Sequence, residues 1–421
     1  MRSLFLHILP VILLLLAASC SKDNALPPVK EWLMTVNFSD DYINPQLKAI
    51  VFVSDRNGKP LADTLVSGNP TVRLYATAAF EPPVRVTIVR WEPDMHNFRV
   101  TLETFNEVFP STWTLAGNRL VSAGDATVSL ADIPGHTGPI LYGLPGHTNL
   151  TFSGSGVTLP LFTPPSPLYV ALNTPEGPMY RFTEPLTPGN HYEINMLELL
   201  PAATQNIRFP GPVVDFHLQV YGYADTVDRS SLPVVADEQL GDGTPVSEVR
   251  AAYPPGRYAS FRTTMKAVES FVSPDALGCS FFGSIPSGFR KIGARVEQVT
   301  VAGITASIAA SGAYTVSAAT WQYGDTANLV FDWTIFGSDT ATTLSLPGLP
   351  ATVRKMFPTL AADSLRYFQT ELTDYNGLSD YQAYLYRRFM KPGAGGMERV
   401  DRSSVSQIFS TFAAQTNRLC H

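Results

Sequence analysis

Val84-Arg85-Val86-Thr87-Ile88 and Phe98-Arg99-Val100-Thr101-Leu102 set apolar residues at every second position. Successive side chains of a strand point to opposite faces of its sheet, so each run buries one row and wets the other. Upstream, Lys48 to Ser54 is apolar through its centre and β-branched, and Asp55-Arg56-Asn57-Gly58 follows it. Asn-Gly accepts positive φ at little cost, which makes this tetrapeptide a tight connection between strands. Residues 31–114 therefore read as a β-sandwich domain. Trp32, Trp91 and Trp113 are its core or edge-covering aromatics, the other reading being a binding platform of exposed rings.

Outward from this unit the β signals continue. Between Leu115 and Ala203, Pro and Gly punctuate short apolar runs at 126–130, 150–161 and 168–172, which predicts a second β-rich domain over 115–205. Within it Pro134-Gly135-His136-Thr137 recurs as Pro145-Gly146-His147-Thr148, eleven residues on. That interval matches a strand plus a turn, and two histidines with no identifiable third ligand read as turn residues, not as a metal pair.

The region 206–421 opens on Val214-Asp215-Phe216-His217-Leu218-Gln219-Val220. Its alternation buries Phe216, Leu218 and Val220 and turns His217 outward beside Asp215 and Gln219. Asp237 to Gly243 reads as an acidic loop whose residue order fails the alternating oxygen ligands of a calcium site. Tyr253-Pro254-Pro255-Gly256-Arg257-Tyr258 and Ile285-Pro286-Ser287-Gly288-Phe289-Arg290 each precede a further alternating segment.

Near residue 350 the apolar period lengthens to three and four: Val353, Met356, Phe357 and Leu360, then Leu365, Phe368, Leu372 and Tyr375. Ser379-Asp380-Tyr381-Gln382 has the form of a capping box. One to three short helices are expected over about 350–390, with Tyr367, Tyr375, Tyr381, Tyr384 and Tyr386 packing them onto a sheet. The fold class is all-β: tandem antiparallel β-sandwich domains with a few short helices near the C-terminus.

Arg2, an apolar run from Val11 to Leu16 and Ala17-Ala18-Ser19-Cys20 form a signal peptide over 1–19. Its apolar core is shorter than the roughly 20 residues a membrane-spanning helix needs, and Pro10 interrupts it. The segment resembles a bacterial lipobox, with Ala17 where leucine is commoner. Cleavage before Cys20 would leave a thiol and an amine to carry acyl chains, a polar tether at 20–30 ending in Pro27-Pro28, and a membrane partner reached through the N-terminal lipid. Cys279 and Cys420 are either one disulfide or two buried thiols, and without a CxxC pair they make no zinc site.

The net charge of −6 and the absence of a basic cluster exclude nucleic acid as a partner class, because such binding draws on Lys and Arg neutralising phosphates. No GxSxG, HExxH or GxxxxGK[ST] occurs, so no catalytic residue, metal or cofactor is assigned. Glu92, Asp94 and Glu103 are available carboxylates for glycan hydrolysis, which needs only a pair at a set separation. The best single ligand-binding candidate is the Pro-containing turn that gathers Trp91, Glu92, Asp94 and His96.

The stretch from Lys48 to Leu61 resembles the opening hairpin of transthyretin-like and carboxypeptidase-regulatory-like sandwiches. The chain as a whole resembles surface or periplasmic lipoproteins of the Bacteroidota, where a pair like Lys22-Asp23 sends lipoproteins to the outer face. Asp63-Thr64-Leu65, Asp225-Thr226-Val227, Asp325-Thr326-Ala327, Asp339-Thr340-Ala341 and Asp363-Ser364-Leu365 resemble that phylum's O-glycosylation motif. The resemblance implies an outer-membrane lipoprotein, periplasmic or surface-exposed, that binds or scaffolds without catalysis, with a glycan or an outer-membrane protein as partner. A glycan-directed hydrolase at the cell surface is the alternative.

Overall fold

The computed structural model describes residues 30–39, 48–68, 71–76, 79–91, 98–116, 121–144, 150–152, 156–163, 165–223, 234–273, 275–324, 329–361, 364–391 and 396–409. The expected signal peptide over 1–19, Cys20, Glu92, Asp94, His96, His147 and Cys420 lie outside these residues. The fold is all-β. Among the described residues six sheets account for the strands, and the largest has twelve.

Its strands, in chain order, are β1 Lys48–Ser54, β2 Pro60–Val66, β3 Val84–Trp91, β4 Phe98–Val108, β5 Asp215–Tyr223 and β6 Val234–Leu240. The chain continues through β7 Ser260–Val268, β8 Asp275–Gly283, β9 Val316–Gly324, β10 Leu329–Gly337, β11 Arg366–Tyr375 and β12 Arg402–Ile408. Across the sheet they run β6-β5-β7-β8-β12-β11-β9-β10-β4-β3-β1-β2. Each pairing is antiparallel except one. Strand β10 runs parallel to β4, from Leu329 opposite Phe98 to Phe336 opposite Phe105, and this seam joins the first unit to the last.

The apolar centre of β1 follows from burial on both faces. Ala49, Val51 and Val53 enter one core, and Ile50 and Phe52 enter another on the opposite side. Strand β3 divides likewise, with Val84, Val86 and Ile88 on one side and Val89 and Trp91 on the other. Trp91 is only 5% exposed and packs edge-on against Phe357, ring centres 5.1 Å apart. It is a core residue and offers no ring face to a ligand, which corrects its placement in the candidate binding turn.

Strands β1 to β4 form one layer of the first sandwich. The facing layer is a three-stranded sheet in the order Thr71–Ala76, Glu31–Phe38, Ser111–Leu115, the last two parallel. This layer is one strand narrower than its partner, and a distant segment fills the space beside it. The helix Tyr381–Leu385 continues as a π turn over Tyr386–Met390, and Tyr381, Tyr384, Leu385 and Phe389 all enter the first sandwich's core. The Phe389 ring stacks on Trp113 at 4.0 Å and meets Phe105 edge-on. Asp380 caps the helix, its Oδ1 accepting from the Ala383 N–H at 2.8 Å.

The helical reading holds for Ala351–Met356 and for 381–390, but Arg366–Tyr375 is strand β11. Hydrogen-bonded ladders to β9 and β12 on its two sides satisfy its backbone, and this tertiary pairing overrides a local apolar period of three to four. Asp237 to Leu240 likewise belongs to β6, so the acidic loop shrinks to the residues after it. His217 faces Asp237 across the β5–β6 pair, its Nε2 2.7 Å from Oδ1, and is 12% exposed instead of solvated.

Residues 121–201 build a separate sandwich. One layer is Leu150–Thr151, Thr137–Gly143, Pro167–Thr174, Gly177–Pro185 and Leu200–Pro201, and the other is Gly156–Thr163, Val121–Ala131 and His191–Asn195. It has its own core around Val128, Leu159, Leu168 and Met196. This unit abuts the edge of the large sheet. A Cβ at Gly143 would come within 2.1 Å of the Val234 carbonyl oxygen, so only glycine allows the approach.

Candidate binding face

The outer surface of the Glu31–Phe38 sheet carries two exposed aromatics on paired strands. Trp32 and Tyr75 are opposite each other in the antiparallel register, 40% and 39% exposed. A register shift between Trp32 and Met34 lets Leu33 and Met34 both turn inward while Trp32 stays out. The Trp32 indole N–H donates to Thr35 Oγ1 at 3.3 Å, which fixes the ring over its own strand.

Alternation then places Thr35 and Asn37, Arg73 and Thr71, and Thr112 and Thr114 on the same face. Thr35 has Arg73 on one side and Thr112 on the other, and Asn37 has Thr71 and Thr114. The Thr71 hydroxyl donates to Asn37 Oδ1 at 3.0 Å. The result is a two-ring strip followed by two rows of hydroxyl, amide and guanidinium groups. It rests on a sheet whose other face is packed by Leu33, Met34, Val36, Leu74 and Trp113.

The sequence-chosen residues are not gathered here. Trp91 is in the core, and Glu92, Asp94 and His96 lie outside the described residues. Glu103, a carboxylate considered for hydrolysis, is a core ion 16% exposed, bound by Arg90 at 2.8 Å and by Arg388 at 2.9 Å. Burial alone would raise this carboxyl, but the charges of Arg388 and Arg90 outweigh it and hold the group below the ordinary value. Cys279 is buried on β8, with burial pushing its thiol up to about 12, and its suggested partner Cys420 lies outside the described residues. His136 sits exposed in its turn with Nδ1 3.1 Å from the Pro134 carbonyl.

Among the described residues no group of three or more His, Cys, Asp and Glu is placed to hold a metal ion. No described helix is long and apolar enough to cross a membrane. Trp32 and Tyr75 stand 43 positions apart in the chain, so no local pattern marks them as a pair. Only the register brings them together.

No known protein family matches this chain, and no curated protein matches it. Among solved structures it is similar to the fimbrial anchor protein Mfa2 from Porphyromonas gingivalis, with 9% identity, 57% of this chain and 78% of that chain covered, and a TM-score of 0.11. A tetra-tandem repeat from the extending region of a large adhesion protein is 10% identical, with 91% and 100% covered and a TM-score of 0.13. The native E. coli alpha-2-macroglobulin is 11% identical, with 83% and 28% covered and a TM-score of 0.13. Scores at this level carry no argument about function.

Proposed function

We propose that this chain is a lipid-anchored cell-envelope protein that binds glycan, without catalysis, on its Trp32–Tyr75 face. The exposed ring pair carries the reading. Sugar C–H faces pack on aromatic rings while hydroxyl groups take hydrogen bonds from neighbouring polar side chains, and Thr35, Asn37, Arg73 and Thr112 supply these within one or two rows. Because the groups stand on paired strands, little conformational freedom is lost on binding.

The anchor half of the reading rests on Cys20 and the residues before it. Ten residues of tether from Ser21 to Lys30 reach at most about 35 Å when fully extended. Such a leash keeps the Trp32 strand close to the lipid surface, which favours polysaccharide of the same envelope as ligand.

The test uses the soluble chain lacking residues 1–20 in affinity electrophoresis through gels containing bacterial surface polysaccharides. The unsubstituted chain is retarded by at least one of them, and Trp32→Ala and Tyr75→Ala each weaken retention about tenfold while circular dichroism stays unchanged. Full retention of a folded Trp32→Ala/Tyr75→Ala variant would overturn the assignment, as would a wild type that no polysaccharide slows.

A further inference from the structure

A cavity of about 350 Å³ opens where the second sandwich meets the edge of the twelve-stranded sheet. One wall is β6, the outermost strand, of which residues 235–239 contribute consecutively. Neighbouring residues of a strand point to opposite faces, so a wall made of five in a row means that the cavity runs along the strand's edge. The facing wall is mixed, with Leu141, Ala171 and Met179 beside Thr151 and Asn173 of the second sandwich. The volume falls at the lower end of small-molecule sites, about 300–1,000 Å³.

The charge of the lining is one-sided. Asp237 and Glu238 line the cavity, and no Lys, Arg or His is among the described lining residues. Asp237 is engaged by His217 at 2.7 Å, which leaves Glu238 as the carboxyl able to receive a new donor. Tyr169, fully buried in the same lining, has a hydroxyl with no hydrogen-bond partner. An orphaned buried hydroxyl costs free energy unless a polar group meets it.

We propose that this cavity binds a small organic cation, a primary amine on a short apolar body, with the ammonium group against Glu238 and the body against Leu141, Ala171 and Met179. Asp237 adds to the negative potential from the same strand. A compact ammonium satisfies a carboxylate that the fold otherwise holds at a cost, since burial first and Asp237 second push the Glu238 carboxyl up to about 7.

The other groups bearing on this carboxyl are Arg250 on the Val246–Tyr253 strand, which lowers it, and His217, Tyr221 and Arg262 around Asp237 on β5 and β7. Amine affinity therefore rises as pH increases from 6 to 8, while Glu238 loses its proton. None of this depends on the Trp32–Tyr75 face.

Calorimetric titration of the soluble chain with 2-phenylethylamine and with phenylacetate compares one ring carrying opposite charges. The amine binds and phenylacetate is at least tenfold weaker. Glu238→Gln weakens the amine at least tenfold at pH 8 and removes the pH dependence, and Ala171→Phe, which fills the space, abolishes binding. Thermal melting of each variant reports its folding. Equal affinity for the two probes, no amine binding to the wild type, or a folded Glu238→Gln with unchanged affinity would each refute the site.

Discussion

At the scale of single residues, two buried glutamates respond to acid in opposite senses. Glu103 is held below the ordinary carboxylate value, so its stabilising contribution is present above the unfolded value and lost as pH falls through the folded one. Glu238 is held near 7, so the unfolded chain gives up this proton first and stability falls as pH rises from about 4.5 to about 7. Glu238→Gln flattens that part of the stability profile, which urea titrations at pH 5 and 7.5 would detect as a vanished difference attributable to this site. Arg388→Met leaves Glu103 in the core with Arg90 as its remaining guanidinium and costs about 3–5 kcal/mol by the same urea measurement. Adding Glu103→Gln recovers part of the loss, because it removes the carboxylate that Arg90 alone is left to balance. None of this was legible in the sequence, where Glu103 is one carboxylate among many. Its partner Arg388 lies 285 positions away, and only folding makes the pair.

At the scale of elements, patterns with a single explanation were readable. The alternation of β3 and the apolar run of β1 marked strands, and the capping box read at Ser379-Asp380-Tyr381-Gln382 located a helix start, although Asp380 and not Ser379 is the capping residue. The segment Arg366–Tyr375 was not readable, since its apolar spacing suits a helix and its place between β9 and β12 makes it a strand. The Tyr381–Met390 segment shows a different limit: sequence located the helix and could not say which core it fills. Phe389 lies between Trp113 and Phe105 of the first sandwich, so Phe389→Ala opens a cavity there and costs about 3–5 kcal/mol. Indole fluorescence of Trp113 should shift to the red in that variant, which would not follow if the helix packed elsewhere.

At the scale of the whole molecule, the parallel seam between β4 and β10 places residues from the first and last thirds of the chain in one hydrogen-bonded sheet. The two expected regions 31–114 and 206–421 therefore share a sheet and a core, while residues 121–201 have a core of their own and also send Tyr169 and Tyr180 into the shared one. Native-state hydrogen exchange is expected to give β4 and β10 amides the same opening free energy, with the strands around Val128, Leu159 and Met196 forming a second class. Opening of β4 at lower free energy than β10 would show that the seam is weak. Strand β12 lies in the middle of this sheet, between β8 and β11, yet follows both in the chain. Synthesis from the N-terminus thus delivers the keystone after the arch around it. Until residues 402–408 pair, β8 and β11 each keep a bare edge of the kind that recruits other extended polypeptide.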